Sequence, residues 1–255
     1  MPCKNPGHHA HHAALLGGVL AAGSALACGP ATGPIDPHSQ DPHSLPPEMN
    51  TDGFGEQGHG PLVHRFQEAK DWAKEFDAPE RIAWQKPEEV VQILAITPGM
   101  KIADIGAGTG YFEPYLSKAV GEKGQVLALD VEDSMVKYID DRMHREHIVN
   151  VTSSKVDFDD PKLAAGSVDR ILIVDTWHHI AGREAYAKKL SDALVPGGFV
   201  AIVDFTMESE HGPPKPHRVT SEAVIKELTT AGLKGELATE TLPDQYVVIG
   251  RKPKP

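Results

Sequence analysis

The residues of this chain best suited to chemistry gather in four short segments. These are Asp104 with Gly106, Gly108 and Gly110; Asp130; Asp157 in a run of carboxylates; and Asp175 ahead of His178 and His179. In the first segment, Ile102 to Phe112 reads Ile-Ala-Asp-Ile-Gly-Ala-Gly-Thr-Gly-Tyr-Phe, an apolar run entering a glycine-rich turn. Glycine tolerates positive φ and has no Cβ, so a ligand can press against the main chain of such a turn. A dinucleotide would want Gly-x-Gly-x-x-Gly, with its pyrophosphate on a helix N-terminus. Tyr111 stands where that third glycine belongs, and Asp104, two residues before Gly106, would repel a pyrophosphate. A cationic ligand suits the turn better.

Asp130 closes the apolar run from Gln125, 20 residues after Gly110. An ionised carboxylate accepts two hydrogen bonds at once, which fits the paired hydroxyls of a ribose. A helix cap ahead of Glu132 and Asp133 is the plainer alternative, and Val131 and Met135 would pack around a nucleoside. Lys155 to Asp160 brings Asp157, Asp159 and Asp160 together around Phe158. At Ser167 to Ile180 an apolar run ends in Asp175-Thr-Trp-His-His. Imidazole titrates near neutrality, so His178 or His179 could take a proton from a hydroxyl or amine; a helix-start or packing role is the alternative for each. Trp84, Trp177 and Tyr246 could wall a pocket or fill the core, and the Pro-rich stretch His211 to His217 could close over an acceptor.

These segments sit at the ends of elements with a regular alternation. Short apolar runs at 101–106, 125–130, 151–156, 168–175 and 199–205 read as strands, and 111–120, 133–144 and 183–194 as helices. A helix capped by Thr220 or Ser221 and stopped by Gly232 precedes strands over 233–242 and 245–251, joined by Pro243 and Asp244. The fold expected is α/β: a doubly wound, mostly parallel seven-stranded sheet with helices on both faces and an antiparallel C-terminal hairpin. Upstream, Phe66, Ala69, Trp72, Ala73 and Phe76 recur at helical spacing, and Pro87 with Glu88 and Glu89 opens a second helix, so 61–97 reads as a helical lid segment ahead of a domain over 98–255.

Composition narrows the partners. With 25 basic against 36 acidic residues the formal charge is −11, which repels phosphate backbones and argues against nucleic acid. A small-molecule substrate fits better. Both cysteines, Cys3 and Cys28, precede the folded part, so no disulfide, zinc-thiolate site or cysteine nucleophile is available to it.

Asp104, Gly106, Gly108 and Gly110, in this strand-turn-helix setting, resemble the first motif of the class I S-adenosylmethionine-dependent methyltransferases. The resemblance runs over about 98–252 and implies a Rossmann-like domain that binds S-adenosyl-L-methionine and methylates a small-molecule acceptor. It puts Asp104 near the cationic amino-acid end of the cofactor and the turn, with Ala107 and Tyr111, against the nucleoside. It implies that Asp130 and Val131 meet the ribose, that Asp157, or Asp159 beside it, accepts from the adenine amino group, and that the Phe158 amide meets the ring. Asp175 to His179 would flank the methyl, and Leu194 to Phe199 resembles the turn into the family's fifth strand. Two rivals stand beside this reading: a non-catalytic exported protein that binds the cofactor, and a nicotinamide-dependent dehydrogenase, which Tyr111 disfavours.

The N-terminus carries a different signal. Lys4 precedes an uncharged run from Ala13 to Ala27, too short to span a bilayer, for which about 20 residues are needed. It ends in Ala25-Leu26-Ala27-Cys28, which fits a cleaved signal peptide and also resembles a lipoprotein lipobox, save for Ala25 where that pattern prefers Leu. Residues 1–28 are thus expected to export the chain, to the periplasm or to a lipid anchor that would be its only membrane contact; a cytoplasmic chain is the alternative. Gly29 to Gly60, poor in apolar residues, reads as a disordered tether. His8, His9, His11 and His12 precede the apolar run and have no fixed geometry, so they are not read as a metal site.

Overall fold

A computed structural model of the protein describes residues 68–254. The leader with Cys28, the tether, the histidine tract and Phe66 lie outside them. The strands are β1 (Lys101–Ile105), β2 (Gln125–Asp130), β3 (Val151–Lys155), β4 (Val168–Val174), β5 (Leu194–Phe205), β6 (Lys234–Leu237) and β7 (Gln245–Arg251). The helices are α1 (Ala69–Phe76), α2 (Arg81–Gln85), α3 (Pro87–Ile93), α4 (Glu113–Val120), α5 (Asp133–Arg145), α6 (Arg183–Ala193) and α7 (Ser221–Thr230).

β4 shows why the sheet is covered on both faces. Successive side chains of a strand point to opposite sides, so an unbroken apolar run must be packed twice. Ile171 and Ile173 join one apolar layer with α6 and α7, while Leu172 and Val174 join the other with α3 and α4. Each such side chain, fully buried, contributes about 1.5–3 kcal/mol. The strand order is β3-β2-β1-β4-β5-β7-β6. β1 to β5 run parallel, and β7 lies antiparallel between β5 and β6, as the expected mixed edge requires. The chain winds outward in opposite directions from β1 and β4. In open α/β sheets such a switch point leaves a crevice at the carboxyl ends of the strands.

Three boundaries differ from the sequence reading by more than a residue, and one helix is new, each for a local reason. The strand expected over 233–242 ends at Leu237, because after Ala238 bonds Val247 the chain leaves the sheet: the Thr241 amide and hydroxyl donate to Glu89, and Lys86 donates to Thr241. β5 starts at Leu194 rather than 199, since Gly197 and Gly198 exchange hydrogen bonds with Lys252; its register jumps from Val168↔Leu194 to Arg170↔Phe199. Tyr111 and Phe112 belong to the glycine turn, so α4 begins at Glu113. α2, only five residues long, carries no periodic pattern and was not anticipated.

Candidate functional site

At the end of β1 the glycine turn folds back over β2. The amides of Gly106 and Ala107 both donate to the Leu129 carbonyl, at 2.8 and 3.1 Å. Gly106, Gly108 and Gly110 have φ of 76°, 57° and 79°, in the region that favours glycine. Gly106 also has no room for a Cβ, which would stand 2.3 Å from Thr176 Oγ1. Asp104, in the last residues of β1, is buried beneath the turn, and Glu113 is buried at the start of α4. Burial pushes Asp104 up to about 7, against the pull of Glu113 and Arg81, and pushes Glu113 well above the usual carboxylate range, with Asp104 adding to it. Neither Glu113 oxygen has a hydrogen-bond partner, nor has the buried Tyr111 hydroxyl.

Asp130 ends β2 one strand over. Its carboxylate accepts from the Gly108 amide at 2.8 Å and from the Glu132 amide at 3.0 Å, one oxygen each. It thus fixes the turn and closes a tight bend at Val131, while α5, whose N-cap is Glu132, takes no side-chain cap, so the helix-cap alternative is not what the structure shows. Each oxygen keeps a second lone pair, so the group remains able to accept from a diol. Burial raises Asp130 to about 6 against the pull of those amides. Beside it Val131, Val156, Asp157, Phe158 and Asp159 line a cavity of about 550 Å³. Phe158 is 52% exposed there, an unpaid apolar face suited to a flat ring. Asp157 pairs with Lys162 at 3.0 Å. Met135 does not reach this cavity: it is covered by Trp72 and Ala69 of α1.

The segment before β1 covers the turn. Phe76 would be the nearest neighbour of a Cβ on Gly108, at 3.6 Å, and Asp77 accepts from Thr109 Oγ1 and Arg142 Nη1. From α2, the Arg81 guanidinium lies 4.2 Å over the Tyr111 ring and 3.7 Å from Asp175 Oδ2. Asp175, just past β4, is held at φ 51°, strained for a non-glycine residue. Burial raises it to about 7, opposed by Arg81. A closed ring of side chains results: Arg81 donates to Gln85 Oε1, Gln85 to Gln245 Oε1, and Gln245 to Asp175, which faces Arg81 again.

A cradle without side chains, flanked by Asp104 and Asp130 on neighbouring strands and facing Asp175, is what the resemblance in the sequence implies. A family model described as a methyltransferase domain matches residues 102–198. A SAM-dependent methyltransferase from Aquifex aeolicus is 29% identical, with a TM-score of 0.67 over 72% of this chain and 98% of that one. Residues 102–198 thus carry a methyltransferase domain, and the fold around it is that of S-adenosylmethionine-dependent methyltransferases. Among curated relatives, the ubiquinone/menaquinone biosynthesis C-methyltransferase UbiE of Shewanella frigidimarina is 27% identical over 48% of this chain and 49% of its own length. UbiE of Shewanella sp. (strain W3-18-1) is 25% identical over 62% and 60%. The chain therefore spans about half to three fifths of the curated relatives it matches. A Haemonchus contortus phosphoethanolamine N-methyltransferase, solved with S-adenosylhomocysteine, shares the fold at 16% identity and a TM-score of 0.59, over 76% of this chain and 62% of that one.

The cofactor of this methyltransferase family is S-adenosyl-L-methionine, and the residues present fit it. Asp130 keeps acceptor capacity for the ribose, Phe158 offers a face to the base, and the glycine turn leaves main chain bare between them. The partnerless Tyr111 hydroxyl is a buried polar group of the kind a ligand satisfies.

On the acceptor side of the methyltransferase site, the sequence candidates divide. His178 is buried, its Nδ1 2.8 Å from Asp204 Oδ1 at the end of β5, and its amide also meets Asp204. Burial lowers the imidazole pKa, but the Asp204 charge and hydrogen bond outweigh it and raise it overall. The His179 ring lies 4.2 Å from that of His178. Trp177 and Tyr246 take the core alternative: Trp177 donates to Glu227 and packs on Tyr186, and the Tyr246 hydroxyl donates to the Val219 carbonyl. Trp84 stays half-buried, stacked on His211 and beside Phe205. Sequence reasoning missed Arg81, Gln85, Glu113, Asp204 and Gln245. Asp204, a lone carboxylate in the apolar run Ala201-Ile-Val-Asp-Phe, was the one with a visible signal.

Proposed function

We propose that this chain transfers the methyl group of S-adenosylmethionine to a small-molecule acceptor that enters where β4 and β5 end. The observation that carries the reading is that Asp104 and Asp130 stand near the ends of adjacent strands, the glycine turn between them held by Asp130, with Asp175 at the end of the next strand. When bound, the cofactor supplies an electrophilic methyl on a sulfonium, and the displacement asks the protein for alignment and dryness. The buried carboxylates of Asp104 and Asp175 favour positive charge in the crevice, and Asp130 orients the nucleoside end. Trp84 and Phe205 form an apolar wall that excludes water on the acceptor side. Where the acceptor is a hydroxyl or amine, His178 or His179 takes its proton, and Asp204 holds the His178 ring in place.

Calorimetry with S-adenosylmethionine, S-adenosylhomocysteine and NAD tests the cofactor, and labelled cofactor screened against a cell extract tests the transfer. Binding without a labelled product would leave the non-catalytic alternative standing. His178→Gln/His179→Gln with full turnover would remove both histidines from the chemistry. Residues 1–28 support export of this enzyme, by cleavage or by lipidation at Cys28. Fractionation of wild type and Cys28→Ser distinguishes the two, and a wholly cytoplasmic wild type overturns export.

A further inference from the structure

We propose that Arg81 holds the carboxylate of the cofactor's methionine end, and that α2 serves to deliver it. The inference rests on the cofactor reading above and assigns a residue outside the matched span of 102–198.

The argument begins with charge. Asp104, Glu113, Asp130 and Asp175 are all buried or nearly so around the crevice. The amino-acid end of the cofactor carries an ammonium, which suits Asp104, and a carboxylate, which such a wall repels. A carboxylate taken out of water needs a paired cation. Among the described residues, Arg81 is the cation whose charge is felt by both Asp104 and Asp175, while burial depresses its own pKa. Arg142, the other guanidinium near the turn, is engaged by Asp77 and Glu146.

Geometry supports the same role. Arg81 Nη1 donates to the Phe76 carbonyl at 2.8 Å, and Nε and Nη2 donate to Gln85 at 3.2 and 2.9 Å. Those bonds use three of the five guanidinium N–H groups. Asp175 at 3.7 Å attracts the charge but is too far for a hydrogen bond, so donors remain for an anion. The Tyr111 ring beneath Arg81 ends in a buried hydroxyl with no partner, a second donor at the same place. The ring through Gln85, Gln245 and Asp175 holds the planar fork in position before any ligand arrives.

The test compares two ligands on the full chain by calorimetry: S-adenosylhomocysteine, which has the amino-acid end, and 5′-methylthioadenosine, which lacks it. Arg81→Gln is expected to weaken S-adenosylhomocysteine by roughly 10- to 100-fold, the worth of a charge-assisted hydrogen bond, while methylthioadenosine changes by less than about twofold. Arg81→Lys, which keeps the charge without the fork, should fall between and guards against a variant that unfolds. Equal loss on both ligands would make Arg81 a structural part of the cover and overturn the inference. Unchanged or tighter S-adenosylhomocysteine binding would overturn it too, showing that α2 obstructs the site. Wild type that binds neither nucleoside would sink the cofactor reading itself, a result distinct from either.

Discussion

Gly106→Ala puts the most specific demand on this structure. The new Cβ would stand 2.3 Å from Thr176 Oγ1, 2.5 Å from its Cγ2 and 2.8 Å from its Cβ, at a backbone φ of 76°. Thr176 cannot swing away freely: its hydroxyl donates to the Val174 carbonyl at 2.8 Å, and it follows the strained Asp175. Left-handed backbone costs an alanine about 1–2 kcal/mol, and forcing a methyl into filled space costs about 1–3 more, so the sum is about 2–5 kcal/mol. For a domain of this size that lowers the melting temperature by roughly 5–15 °C. Urea unfolding of Gly106→Ala, Thr176→Gly and the double variant separates the parts. The steric share should return in the double variant as a favourable coupling of at least about 1 kcal/mol, while the backbone share remains. The turn also borders Asp130, so S-adenosylhomocysteine affinity should fall with stability in the single variant and recover partly in the double. Additive effects in the cycle, or a Gly106→Ala protein with native stability and affinity, would refute the close approach of the turn to the end of β4.

Three further outcomes follow from the carboxylates and the histidine. Asp130→Asn cannot accept at both positions from the two amides and a diol, and should weaken S-adenosylhomocysteine by about 30-fold or more in calorimetry. With Asp104 and Asp175 near 7 and Asp130 near 6, these groups are protonated at low pH and charged above it, so the preference for S-adenosylmethionine over its uncharged-sulfur product should grow from about pH 6 to about pH 8. The same raised values mean that the folded chain binds more protons than the unfolded one, so their stabilising share is full below the ordinary carboxylate pKa and lost as pH rises through the folded value. Wild type should therefore lose more stability than Asp104→Asn between about pH 5 and about pH 8 in urea titrations. For His178, Asp204→Asn should move the imidazole midpoint down in an NMR titration, and the pair's contribution to stability, present at low pH, should fade as pH rises through the wild-type midpoint.

What the sequence made legible was main chain. Strand periods, helix stops and the glycine turn follow from local φ/ψ preferences and from alternation of apolar residues, and β1 to β4 with α5 to α7 fall within a residue of where those rules put them. Asp104 and Asp130 were legible for the same reason, because each closes a strand that the pattern defines. The side chains that complete the site were not. Gln85 meets Gln245 across 160 residues, Arg81 reaches Asp175 from a five-residue helix, and His178 meets Asp204 from the next strand. No local preference encodes such pairs; they exist only once the sheet brings the carboxyl ends of β4 and β5 beside the start of β7. Trp177 and Tyr246 failed as pocket candidates for the converse reason, since an aromatic residue with one polar atom looks the same in sequence whether its partner is substrate or the core.

The two halves of the crevice are therefore under different constraints. The nucleoside cradle lies within residues 102–198 and is built largely from backbone: amides on Asp130, Gly106 too close to Thr176 for any side chain, and strand ends in fixed register. Most changes there disturb the fold and the ligand together. The acceptor half draws on Trp84 of α2, the loop after β5 and the start of β7, beyond the matched span, while Arg81 of the same helix lies over Tyr111 of the glycine turn. That loop is pinned by Arg218, which donates to the carbonyls of Thr206, Ser209, His211 and Pro213, and by Ser209 and His211, which meet Asp244, so its shape is set by side chains and not by a ladder. Trp84 rests on that loop through His211. An isolated helix as short as α2 is unstable on its own, so its position depends on the ring of Arg81, Gln85, Gln245 and Asp175. Substitution at Trp84 or in the loop after β5 reshapes the acceptor wall without touching the strands or the nucleoside cradle, which is the physical basis on which one cofactor-binding fold serves acceptors of different chemistry.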